Sequence, residues 1–560
     1  MSRQGISLSR LIRAAQGKRI CDVVIKNVRF LDVFTCSWRQ GDVGILDGII
    51  VGIEAGLKGK RTFLGNGKAL VPGFIDAHVH VESSLLVPQN FQRTVLPHGT
   101  TSIICDPHEI ANVIGLNGIK FFLKEAGNLA LDMRVLLSSC VPATKLETNG
   151  AGNISARDLQ QFSSHPRVLG LAEMMDVSGV LGTKSEVLAK LQTFAGQKLD
   201  GHCPSIRGNA LSACAVGGIS SCHESTDLEE AREKISKGMS VWIREGSVAR
   251  DLETLWPLLE TAPSMSVGFC TDDRNPLDVA LEGHIDFMIR KAIQSGAPPT
   301  VVYRCASWSV AKHYGLYRTG AIAPGYWANM VLLDDIDTCA ISDVFVRGKR
   351  VAELKFQSSK TYRTKNTVLA AVPEETDLMG PNCLVNVIGV RPYQILTDHL
   401  KMEHDAPGVA KISILERYGK GLKPVNGYVH GFGENFHGAL ASSIAHDSHN
   451  LTVVGKNSSD MRIALRAIIE AGGGLCAVQN GKVLAQLALP FGGIMSLEAS
   501  EKVVVALKKL RDASRAMGCI LNEPFLQLAF LSLPVVPFLK ITDRGLVDVQ
   551  KSRFINVRAG

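Results

Sequence analysis

The chain has 560 residues, 46% hydrophobic and 20% charged, with a formal charge of +8. This is a soluble, globular composition, and the length allows about three or four domains. The charge is small for the length and there is no Lys/Arg block or basic–aromatic stripe, which argues against a nucleic-acid partner. The 13 cysteines are scattered without a CxxC pair, which argues against a disulfide scaffold and for a reducing cytoplasm.

Met1 to Arg19 mixes Arg and Lys with Ser and Gln and lacks the apolar core of a signal peptide. Ser7 to Gly17 reads as a short helix capped by Ser7 or Ser9. Short β-type runs follow at Cys21 to Ile25, Arg29 to Phe34, Val43 to Leu46, Ile49 to Ile53 and Arg61 to Leu64, punctuated by glycines.

The stretch from Leu70 to Glu82 reads as one buried strand running into His78 and His80. Residues two apart on a strand point to the same side, so both imidazoles can reach one cation. From Gly73 to about Thr319, short apolar runs alternate with helical stretches, the mark of βα units. The runs end in polar residues each time: His78 and His80; Asp106-Pro107-His108-Glu109; Ser138-Ser139; Glu173; His202; His223; Arg244-Glu245; and Thr271-Asp272-Asp273. Eight such strands over about 250 residues predict an α/β fold built on a (β/α)8 TIM-type barrel, whose active site lies at the C-terminal strand ends.

Beyond Thr319, Met330 to Leu333 and Asp343 to Val351 form a strand-turn-strand pattern. We expect residues 1–72 and 320–351 to make one small β domain flanking the barrel at 73–319. Residues 352–560 are expected to form an additional α+β domain. It holds strand-like runs at Leu451 to Val454 and Gly474 to Val478. It also holds a helix over Ser496 to Met517, with Val503, Val504, Leu507, Leu510 and Ala513 on its packing face. The apolar tract Pro524 to Leu539 is too short, and too broken by Gln527, Pro534 and Pro537, to span a membrane. Exposed apolar surface on this region allows a homo-oligomer.

His78, His80, Glu173, His202, His223 and Asp272 are the predicted metal ligands. Neutral imidazoles and carboxylates suit Zn, Mn and Fe. Two nearby cations need a carboxylate between them to offset their repulsion, and Glu173, across the mouth from the first strand, is placed to bridge. Asp272 follows the last strand and can touch both a metal and its water. The Asp106–Glu109 loop, with His108 and Glu109 as catalytic candidates and Asp106 as a substrate contact, reads as a reader of a substrate edge or a proton donor; its bland alternative is a turn. Glu245 and Asp273 are weaker substrate-binding candidates, and Arg244 and Arg274 are as readily ion-pair partners. His437, His446, Asp447 and His449 form a second cluster, which could bind metal, cap the barrel, or simply stabilise its own loop.

The order His-x-His, bridging carboxylate, His, His, Asp resembles the amidohydrolase superfamily. The strings Pro72 to Ser84, Cys105 to Val113, Arg244 to Ser247, Thr271 to Arg274, Glu282 to Asp286 and Ala445 to Asn450 resemble bacterial adenine deaminases across nearly the whole chain. That resemblance implies hydrolysis of adenine to hypoxanthine and ammonia in purine salvage, by a binuclear Mn or Fe centre bridged by a glutamate. Asp272 would act as general base and then acid. Asp176, Cys203, Ser205 to Arg207 and Cys222 depart from the family strings, which leaves an N6-substituted adenine or another aminopurine as alternative substrates. A cyclic amide hydrolase on the same scaffold is a further alternative, though such enzymes commonly carry a carboxylated lysine where this chain has Glu173. A metal-stabilised RNA-binding protein is the non-enzymatic one.

Overall fold

The computed structural model describes residues 7–560. Ser7 caps the first helix, Leu8–Ala15, by accepting from the Arg10 amide. Strands Cys21–Asp32, Ser37–Leu46, Ile49–Gly52, Gly59–Leu64 and Ala69–Pro72 share one sheet with Met330–Asp335, Ala340–Val346 and Lys349–Arg350. Strands from both flanks of the barrel therefore meet in one sheet, with Met330 opposite Pro72.

The Leu70 to Glu82 stretch, expected as one strand, is two. Ala69–Pro72 belongs to the flanking sheet and Phe74–Val79 opens the barrel. The break falls at Gly73, whose amide donates to the Asn329 carbonyl at 2.9 Å. A Cβ there would stand 2.2 Å from Thr101 Oγ1, so only glycine lets the two sheets approach this closely.

Eight parallel strands follow in sequential order: Phe74–Val79, Thr100–Cys105, Asp132–Leu137, Val168–Met174, Lys198–Gly201, Ser221–Cys222, Ser240–Arg244 and Val267–Cys270. The last returns to the first. His80 N donates to Asp272 O at 3.2 Å, and Asp272 N donates to His78 O at 3.1 Å. Buried Asp76 ties the same seam by accepting from Thr271 N (3.0 Å) and Thr271 Oγ1 (2.5 Å). The sixth strand is shorter than the Gly218 to Cys222 run suggested, because Gly218 at φ +94° is still turning out of the preceding helix. Ile75, Ala77, Ile104, Leu136, Trp242 and Cys270 pack with Val310 and Tyr314 in a buried cluster, each large apolar side chain stabilising by about 1.5–3 kcal/mol.

The C-terminal region contains an eight-stranded sheet and a three-stranded sheet, Leu539–Thr542, Gly545–Asp548 and Arg553–Ile555. Its long helix runs Ser500–Ala516, with Val503, Leu507 and Leu510 buried. The helix begins later than predicted because Ala499 is extended and Ser496 N bonds the barrel's Leu85 carbonyl at 2.7 Å. Further ties join this region to the barrel: Arg511 to Asp278 at 2.7 Å, and Asn450 Nδ2 to the Thr148 carbonyl at 2.8 Å. All 13 cysteines are free thiols. Among the described residues, no helix is long and apolar enough to cross a membrane.

Gly73→Val should destabilise the chain by about 1–3 kcal/mol through overpacking against Thr101. Urea unfolding followed by tryptophan fluorescence measures it, and an unshifted transition would reject the close-approach explanation.

Candidate metal centre and cavity

The first strand ends by presenting His78 and His80 on one face, and both are buried. Each ring is held through Nδ1: His78 by the Asp200 carboxylate at 2.9 Å, His80 by the Asp106 carbonyl at 3.1 Å. An Nδ1 facing an acceptor carries the hydrogen, so Nε2 is the atom each ring can offer to a cation. The two Nε2 atoms face each other at 3.1 Å. Around the same point stand Glu173 Oε1, 3.3 Å from His80 Nε2 and 3.8 Å from His78 Nε2, and Asp272 Oδ1, 3.1 and 3.6 Å from the same atoms. Lone pairs and anionic oxygens aimed at one another in a dry site are what a divalent cation satisfies. On the other side of Glu173, Oε2 lies 2.6 Å from His202 Nδ1 and 3.4 Å from His223 Nε2. The two oxygens of Glu173 thus serve two groups of nitrogen donors, the geometry expected of a bridge.

Burial opposes ionisation of Glu173, but the His202 charge and hydrogen bond, with hydrogen bonds from His223 and His80, hold it well below the usual carboxylate range. Burial likewise opposes Asp272, and the His80 hydrogen bond with the His223 and Arg244 charges hold it well down. Asp272 sits at φ 53°, a left-handed backbone uncommon outside glycine and worth about 1–3 kcal/mol of strain. Arg244 donates to Asp272 Oδ2 at 3.1 Å, which leaves Oδ1 for the centre.

The cavity above is lined by His80, His108, Glu173, His202, His223 and Asp272, with Glu109 and Asp273 beside them. His78 lies beneath, fully buried. Two of the expected substrate contacts have partners of their own. Asp106 does not reach the cavity: its carboxylate lies behind His108, bonded to His108 Nδ1 (3.0 Å) and Ser138 Oγ (3.0 Å). Glu245 is also turned away, paired with Lys291 at 2.6 Å and capping the Leu252 amide at 3.2 Å. A carboxylate after a barrel strand can point along the mouth or back against a helix, and spacing does not separate the two. His437 is exposed and bonded to the Asn435 carbonyl, apart from His446, Asp447 and His449. Arg274 is an ion-pair partner of Glu282 at 2.7 Å.

The amidohydrolase family matches residues 69–351, and the adenine deaminase C-terminal domain matches residues 393–553. A protein named adenine deaminase from Cereibacter sphaeroides is 48% identical over 559 residues, 97% of this chain and 99% of its own. Similar proteins of that name from Methylobacterium nodulans and Brucella suis are 46% and 44% identical, each over 98% of this chain and over 99% and 96% of their own. This chain belongs to the adenine deaminase family.

The family's C-terminal domain closes this cavity. Ile395, His446, Asp447, Phe530 and Leu533 come from it, and Ile395, Phe530 and Leu533 join Met175 in the apolar part of the wall. Phe530 and Leu533 belong to the tract that sequence reading assessed only for membrane spanning. Asp200 and Glu224 were also missed as site residues, although each stands within two positions of a candidate ligand histidine. The family departures are not in the cavity wall. Asp176 caps the Val177–Leu181 helix, and Cys203 and Cys222 are buried against each other.

Lys540 holds the wall from behind. It is fully buried, and its Nζ donates to the carbonyls of Ile395 (2.8 Å) and Phe530 (2.9 Å). Burial pushes its pKa down to about 7. The unfolded chain protonates this amine near 10.4, so between about 7 and 10 it binds more protons than the native state and stability gains as pH rises. Lys540→Met should lack that gain in urea unfolding compared with the native chain across this range; parallel curves would reject it.

Glu173→Gln should lose bound metal on gel filtration and elemental analysis. Glu245→Gln should keep it and lose only stability, about 1–3 kcal/mol for a broken buried pair. Metal loss in Glu245→Gln would place that residue at the centre.

Proposed function

We propose that the protein is an adenine deaminase, hydrolysing adenine to hypoxanthine and ammonia as a step of purine salvage. The observation that carries the reading is the convergence of His78, His80 and Asp272 on one side of Glu173 and of His202 and His223 on the other. Full-length similarity to proteins of that name supports it.

His78, His80, Glu173, His202, His223 and Asp272 would hold a pair of divalent cations, Mn or Fe, with Zn also acceptable to this donor set. Bound metal would lower the pKa of water enough to supply hydroxide near neutral pH. Asp272 takes the proton of the attacking water and delivers it to the departing amine, as base and then acid. Its depressed pKa keeps it ionised and ready as a base. Arg244, bonded to Oδ2, fixes the carboxylate with Oδ1 toward the reacting atoms. Met175, Ile395, Phe530 and Leu533 suit a flat aromatic base and exclude water from it. His108, Glu109 and Asp273 stand along the wall where the ring edge would rest.

Metal-loaded protein should release ammonia from adenine faster than from N6-substituted adenines and other aminopurines. Asp272→Asn should lose about 10²–10⁴ in kcat with its metal content unchanged. No ammonia from adenine would end the reading, and a near-normal rate for Asp272→Asn would remove that residue from its role.

A further inference from the structure

Glu109 stands on the cavity wall, but its carboxylate is already engaged. His446 Nδ1 is ion-paired with Oε1, His449 Nε2 with Oε2, and His108 Nε2 lies 3.3 Å from Oε1. Two imidazoles of the wall have an Nε2 without a hydrogen bond, His108 and His446. His108 Nε2 sits between Glu109 Oε1 (3.3 Å) and Asp447 Oδ1 (3.6 Å), so His446 Nε2 is the more open of the two. His446 is 3% exposed, and Asp273 Oδ1 stands 3.8 Å from its Nε2. The ring is fixed on its other sides. It stacks on Phe530 with centroids 4.8 Å apart and planes 9° apart, and its backbone amide bonds the Ala529 carbonyl at 3.1 Å.

Addition of water oxygen at C6 of a 6-aminopurine pushes an electron pair onto N1, and that nitrogen bears hydrogen in the product. A donor is needed there. Asp272 is occupied by the attacking water and the leaving amine. Arg244 is tied to Glu224, Asp251 and Asp272. We propose that His446, contributed by the C-terminal domain, is a catalytic residue that hydrogen-bonds N1 of the purine and protonates it as C6 is attacked, with Glu109 and His449 as its positioning residues. This rests on the deaminase reading above.

The protons balance. Nε2–H of the imidazolium goes to N1 as the C6–O bond forms. The proton on the added oxygen passes through Asp272 to the amine, the C6–N bond breaks, and ammonia leaves. The proton released when the next water is activated restores His446. The groups facing the ring are Glu109, Asp273, Asp447, His108 and His449, three carboxylates against two imidazoles, which favours the imidazolium.

The test compares native enzyme with His446→Gln, using adenine as substrate and 1-deazaadenine, which has carbon in place of N1, as inhibitor. We expect kcat for adenine to fall about 100-fold or more, as for loss of a general acid. The inhibition constant of 1-deazaadenine should stay within about twofold, because that analogue offers His446 no acceptor. Metal content per chain should not change. Three outcomes would overturn the proposal: a kcat close to native, an equal loss of affinity for 1-deazaadenine, or loss of a metal equivalent, which would make His446 a ligand. If His446→Gln does not fold, Glu109→Gln leaves the ring in place and should give the same pattern. Native enzyme that releases no ammonia would sink the deaminase reading itself. Active native enzyme with an unaffected His446→Gln would sink only this step.

Discussion

The whole centre depends on two imidazole nitrogens brought face to face. Asp200 and the Asp106 carbonyl each claim an Nδ1 hydrogen, so the His78 and His80 Nε2 atoms are left facing one another at 3.1 Å. Without an ion, that juxtaposition in a dry site is unfavourable. A cation bound there would have Asp272 and Glu173 beside it as further donors. The barrel closure serves this pairing directly, since the hydrogen bonds joining the last strand to the first are made by the backbones of His78, His80 and Asp272 themselves. A barrel that failed to close would lose this cluster along with its seam.

Glu173 links this first group to His202 and His223, and so couples the fourth strand to the fifth and sixth. Its carboxylate is kept ionised against full burial by those same histidines. The supporting contacts are themselves buried and polar. Asp76 binds Thr271, Ser221 donates to Asp200 at 2.7 Å, and Arg244 is bonded to Glu224, Asp251 and Asp272. Such networks are costly when half satisfied and rigid when complete, which suits a site that must hold its groups within a fraction of an ångström.

The C-terminal domain is part of the cavity. It brings the apolar wall, held by Lys540 through two carbonyls, and the histidines that engage Glu109. Two of the three imidazoles around Glu109, His446 and His449, come from this domain. Glu109 is held well below the usual range, against its burial, by the charges of His446, His449 and His108.

The alternation of apolar runs with polar strand ends determined the barrel and picked out His78, His80, Glu173, His202, His223 and Asp272, because a strand's period of two aims residues at known offsets to one side. The longer strings carried the family. Other features were decided only in three dimensions. Gly73 divides an apparently continuous strand because two sheets meet there. Asp106 and Glu245 follow strand ends as the ligands do, yet local partners, His108 and Lys291, turn them from the cavity. Ile395, Phe530 and Leu533 carry no chemical signal in sequence, since an apolar side chain becomes a cavity wall only when a distant domain docks over the mouth. The spacing of His446 and His449 left three roles open, and their place opposite Glu109 follows from contacts between residues more than 300 positions apart.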